Sequence, residues 1–136
     1  ALLIAAAISQ TSLITGGFGT TAAKIAAGKM ALAPLDIFVR AILCNALVCL
    51  AVWLSFAATD VAGKILAIIL PVAAFVALGL EHSIANMFLL PLGLLAGAEG
   101  SAALAAWNIA IATAGNILGG AGGVALAYRF AFKPQV

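Results

Sequence analysis

Glu81, His82 and Ser83 stand side by side inside an otherwise uncharged apolar stretch, residues 65–98, and His82 is the chain's one histidine. Each brings a chemistry. An imidazole takes up and releases a proton near neutral pH and donates hydrogen bonds. A carboxylate accepts hydrogen bonds from backbone N–H groups. A serine hydroxyl becomes a nucleophile when a base lies in hydrogen-bond reach, about 2.6–3.2 Å. Inserting a charged side chain at lipid depth costs roughly 2.5–3.5 kcal/mol on insertion scales, so such groups persist where they face a cavity or another helix. The cluster is therefore the first candidate for a functional site.

Neighbouring residues on a helix point apart, which argues against Ser83 and His82 as a nucleophile–base pair and against an intramembrane enzyme. Glu81, about 100° from His82 on a helix, reads as structural, bonding backbone groups freed at a break. Ser83 and Asn86 fall in the same structural set. His82 itself has a bland alternative, holding helix ends together through backbone carbonyls. Asn116 lies deep in the last apolar stretch, where interhelical glue and pore lining are equally open on chemistry alone. Asn45, four residues before Cys49, reads as glue, a bond worth about 0.6 kcal/mol in membrane bundles. Cys44 and Cys49 read as small buried side chains, and with a single histidine they make no zinc pattern. No metal or cofactor is expected.

The elements that must position these residues are membrane spans. The 136 residues are 66% hydrophobic and 7% charged, with mean hydropathy +1.29, where a soluble domain carries about a quarter charged residues. The basic residues (Lys24, Lys29, Arg40, Lys64, Arg129, Lys133) and acidic ones (Asp36, Asp60, Glu81, Glu99) form no run, which excludes a nucleic-acid partner. The chain starts at Ala1 inside an apolar run, with neither an initiator Met nor a basic leader. It reads as cut through a helix of a longer protein.

Residues 1–8 read as the last turns of a span, and 9–36 as a Gly-, Thr- and Ala-rich connection ending at a helix start marked by Pro34 and Asp36. A span of about 20 residues is expected over 37–58, followed by a polar turn at 59–64. The stretch 65–98 is too long for one span and too short for two, and it holds Pro71, the cluster, Asn86 and Pro91. A helix broken near its middle accounts for all of these, as in transporters whose half-helices aim their ends at a central site. Gly97, Glu99 and Gly100 mark its end, and a last helix is expected over 104–132, closed by Arg129 and Lys133. Its Gly115, Gly119 and Gly123 recur every four residues, a stripe suited to close helix approach that Gly120 and Gly122 widen. Charge bias ties, with Lys24, Lys29 and Arg40 on one side and Lys64, Arg129 and Lys133 on the other, so orientation is not set.

Three runs carry a family likeness: Ile42–Trp53, Leu70–Phe88 with its EHSIANMF motif, and Gly115–Gly120. Together they closely resemble the formate–nitrite transporter family over essentially the whole chain. The resemblance implies an all-α, multi-spanning bundle in an aquaporin-like protomer of two inverted repeats, assembled as a homopentamer in a lipid bilayer, the bacterial inner membrane. This chain would be the end of the third helix through the sixth, with the fifth helix broken. By motif position, His82 resembles the family's central pore histidine, Asn116 the pore asparagine of the sixth helix and Phe75 an aromatic of the hydrophobic constrictions. Lys29, thirteen residues before the ILCN motif, matches the vestibule lysine, with Lys24 the weaker match.

The implied function is a channel or transporter for small monovalent anions, of the formate, nitrite or hydrosulfide class, linked to protons. Such an anion meets a severe desolvation barrier at an apolar constriction, which neutral donors or protonation lower. An aquaporin-like neutral-solute channel and a non-conducting structural subunit are the alternatives.

Overall fold

Among the described residues, two helices are long and apolar enough to cross a membrane, and they bracket a pair of shorter apolar helices. The computed structural model describes residues 1–132. In order, α1 is Leu2–Ser9, α2 Gly17–Met30, α3 Pro34–Ala57, α4 Val61–Ala77, α5 Ser83–Leu95 and α6 Ala102–Ile117. A π-helical segment, Leu118–Ala125, then leads into α7, Leu126–Ala131. No strand occurs among the described residues. Lys133, expected to close the last helix, lies outside them.

Local chemistry sets the helix starts. Pro34 occupies the first position of α3, where its missing N–H is no loss, and Asp36 adds a carboxylate to the positive first turn. Asp60 caps α4, its side chain accepting from the Gly63 N–H at 2.9 Å. The expected polar turn at 59–64 is thus shorter, because its second half is already helix. Ser101 Oγ accepts from the Leu104 N–H at 3.2 Å, so α6 starts two residues ahead of the expected Leu104.

The chain folds as two units. The first comprises Ala1–Ile37 and Ser83–Ile111. Its core is made of α1, α2, α5 and the first part of α6, with Ala5, Ala22, Ala26, Met30, Leu90, Leu92 and Ala105 buried. Helix α2 corrects the sequence expectation, which treated 9–36 as a connection. Its buried positions, Gly19, Ala22, Ala26 and Met30, make a helical stripe of mostly small side chains. That stripe lets α5 approach closely: a Cβ on Gly93 would overlap Ala26 and lie 2.9 Å from the Ala22 carbonyl oxygen. Small-residue packing of this kind replaces the large apolar face that normally announces a helix.

The second unit comprises Phe38–His82 and, among the described residues, 112–132. Here the glycine stripe of the last helix meets α3. A Cβ on Gly115 would sit 2.6 Å from the Phe38 carbonyl oxygen, and one on Gly119 would overlap the Ile42 carbonyl. Gly120 faces Asn45 and Cys49 of α3. Gly123 does not belong to this contact, since nothing lies within 4 Å of its Cβ position. The stripe is therefore Gly115, Gly119 and Gly120. The widening of the helix over Leu118–Ala125 falls on four glycines, residues with little α preference and no Cβ to crowd a wider turn. On its other side α3 exposes Leu43, Leu50, Val52, Leu54 and Phe56 within the chain. Large apolar side chains left outside in a span are what lipid or a neighbouring subunit covers.

Candidate functional site

The expected break in 65–98 is present, between Ala77 and Ser83. Gly79 makes it. With φ +61° it takes the left-handed turn open to glycine, the Leu80 N–H donates to the Phe75 carbonyl at 3.0 Å, and the Gly79 N–H donates to the Val76 carbonyl at 3.0 Å. This pair of bonds is a Schellman motif, which closes a helix on its own carbonyls. It answers the problem of broken backbone in an apolar setting, where each unpaired group costs several kcal/mol. Arg40 of α3 adds a donor, Nη1 lying 3.4 Å from the Gly79 carbonyl oxygen. A Cβ at Gly79 would meet nothing nearer than Arg40 Nη1 at 4.0 Å. Gly79→Ala therefore isolates backbone strain, about 1–2 kcal/mol for an alanine held left-handed. We expect a lower thermal midpoint for the detergent-solubilised protein; an unchanged midpoint would show that the break relaxes.

The same turn places the ring of Phe75 against the imidazole of His82, centroids 5.6 Å apart and planes 24° from parallel. His82 is half-buried. Asn116 holds the other side of the break. Its side-chain amide donates to the Glu81 carbonyl at 2.9 Å and to the Ala41 carbonyl at 2.7 Å. Both amide hydrogens are thereby spent on backbone carbonyls of two different segments. Asn45 donates to the Asn116 carbonyl at 2.6 Å, as expected of interhelical glue. Glu81 is fully buried. Glu81 and His82 lie in the non-helical break rather than on a helix, so the helical 100° offset does not separate them, nor does helical geometry separate His82 from Ser83. Phe75, His82, Glu81 and Asn116 thus form one constellation in the second unit.

The remaining expected residues fall in the first unit. Ser83 opens α5 and is buried, as is Asn86 one turn further on. Lys29 is half-buried in the last turn of α2, where a cation also suits the negative helix end. Lys24, on the same helix, is exposed. Between them stands a residue that sequence reasoning missed. Asn108 of α6 is 1% exposed, accepts from Asn86 Nδ2 at 2.8 Å and donates to the Lys29 carbonyl at 3.1 Å. The signal was available: an amide in an apolar helix, two turns before Asn116, merits the same question as Asn116.

Comparison with known proteins shows what this chain is similar to. The sequence model of the formate/nitrite transporter family matches residues 1–130. An uncharacterised transporter of Bacillus subtilis, YrhG, is 45% identical over 126 residues, covering 89% of this chain and 45% of that protein. A probable formate transporter of Methanothermobacter thermautotrophicus is 45% identical over 116 residues, 84% of this chain and 42% of its own length. A solved pentameric formate channel with formate bound has a TM-score of 0.79 and 33% identity, covering 96% of this chain and 58% of that one. The chain spans under half the length of the two sequence relatives. The family is one of transporters and channels, not enzymes.

Proposed function

This chain belongs to the formate/nitrite transporter family, and from that premise we propose that it forms part of a homopentameric, proton-linked channel for small monovalent anions. Formate is the anion named for a relative and for a structural neighbour, and nitrite and hydrosulfide share its charge and small size. Residues 1–136 supply the broken fifth helix and the spans around it, in the integral membrane protein of a bacterial inner membrane. The observation that carries the reading is the stack of His82 on Phe75 at a backbone break clamped by Asn116. An apolar ring beside a titratable donor is what an anion needs at a dry constriction: exclusion of water, then replacement of the lost hydrogen bonds.

In this mechanism Lys29 attracts the anion to the vestibule, Phe75 forms part of the dry gate and His82 meets the anion beyond it. Asn116 acts through the break, keeping the Glu81 carbonyl in place so that His82 is presented. Glu81, Ser83 and Asn86 hold the half-helix ends. The test is flux of formate, nitrite, hydrosulfide and glycerol into liposomes carrying the complete transporter, measured against pH. Anion uptake rising toward acid pH, with little glycerol flux, supports the proposal. Glycerol flux alone would assign a neutral-solute channel, and no flux a structural subunit.

Phe75→Ala removes one ring from the proposed gate. We expect the complete transporter to conduct still, with anion-over-glycerol selectivity reduced about tenfold, because dewetting depends on the radius and apolarity of the lining. Unchanged conductance and selectivity would make Phe75 a packing partner of His82 and nothing more.

A further inference from the structure

We infer that Asn108 is a positioning residue of the anion path, acting on Lys29 and Asn86 through a directional pair of amide hydrogen bonds. The inference rests on the vestibule role proposed for Lys29. Its ground is the end of α2. The last carbonyls of a helix have no partner within it, and the Lys29 carbonyl is one of these. Leu32 N–H reaches it only at 3.4 Å, whereas Asn108 Nδ2 lies at 3.1 Å. A side chain from α6 therefore caps α2 at the residue that bears the ammonium.

The direction of the pair follows from one fact: a backbone carbonyl can only accept. Asn108 must turn its nitrogen to Lys29, so its oxygen faces Asn86. Asn86 must then donate, as it does at 2.8 Å, and its own oxygen is turned away. Flipping either amide sets like groups against each other. Asn86 is fully buried and Asn108 is 1% exposed. Ala26, Met30, Leu90 and Ala105 form the apolar core on the same helices, with Ile109 packed against it. In such a dry place each bond is strengthened and each lost partner is felt. Apolar side chains of the same size would join these helices as well; what two amides add is a fixed direction and a fixed helix end.

The test uses the complete transporter with Asn108→Leu, Asn86→Leu and the double substitution. Three readouts are taken: thermal stability and assembly in detergent, half-saturation and maximum of formate flux, and reductive methylation of Lys29 relative to Lys24, read by mass spectrometry. Lys24 is an exposed reference on the same helix. We expect Asn108→Leu to raise the half-saturation concentration about tenfold, the scale of a lost hydrogen bond near a charge, with maximum flux within about twofold of wild type. The Lys29:Lys24 labelling ratio should rise severalfold. The double variant removes both polar partners, so stability recovers, while half-saturation and labelling stay altered. Recovery of all three together would reduce the pair to packing and overturn the inference, as would a wild-type ratio in an assembled Asn108→Leu protein. If Asn108→Leu alone fails to assemble, the double variant decides. Absence of formate flux in the wild type would sink the proposed function, while the labelling ratio still judges the relay.

Discussion

Gly119→Leu should abolish assembly of the complete transporter. A Cβ at Gly119 would overlap the backbone carbonyl of Ile42, so no rotamer change on α3 can make room. The helices must separate by the size of a side chain. Separation also takes Gly115 off the Phe38 carbonyl and breaks the bonds from Asn116 to Ala41 and from Asn45 to Asn116. Overpacking against a movable side chain typically costs about 1–3 kcal/mol; against backbone, with two hydrogen bonds lost, the penalty is larger. Size-exclusion of the detergent-solubilised protein should show no oligomer peak. Gly123→Ala is the matched control, because nothing lies within 4 Å of its Cβ position, and it should assemble as wild type. A fully assembled, active Gly119→Leu protein would show that this helix contact does not hold the second unit together.

His82→Phe should assemble and lose the acid-stimulated part of anion uptake. Phenylalanine keeps a ring to stack on Phe75 but has neither a proton to exchange nor a hydrogen bond to donate. The sign follows from imidazole chemistry. The cationic form is favoured at acid pH and attracts an anion, so wild-type uptake should fall as pH rises. Losing a donor to a charged group costs about 1.5–3 kcal/mol, at least tenfold in rate. His82→Asn keeps a donor without a titrating proton, and should conduct with a flattened pH profile. Formate or nitrite flux against pH in liposomes separates the three proteins. Identical profiles would assign the proton chemistry elsewhere and leave His82 structural.

Membrane class, the long apolar stretches and the existence of a break were legible in the sequence, since they depend on local quantities. Twenty apolar residues can span lipid wherever they sit. Gly79 can take the left-handed turn whatever surrounds it, and Pro34 starts a helix because its fixed φ and missing N–H suit the first turn. The EHSIANMF motif carried the family for the same reason, being a run of neighbours.

Tertiary structure decided what depends on a distant partner. Helix α2 hides from hydropathy because its buried stripe is mostly glycine and alanine, which gain little by leaving water and become a helix face only when Gly93 of α5 lies against them. The two amide hydrogens of Asn116 go to the carbonyls of Ala41 and Glu81, 75 and 35 residues away, partners that no run of neighbours names. The sequence stripe runs through Gly120, Gly122 and Gly123 alike, yet only the path of α3 shows that Gly120 meets it while Gly123 does not. Asn108 has the same chemistry as Asn116 and no motif around it. Its meaning came from the Lys29 carbonyl, 79 residues distant, because a hydrogen bond is specified by the direction of two groups in space and a sequence records only one of them at a time.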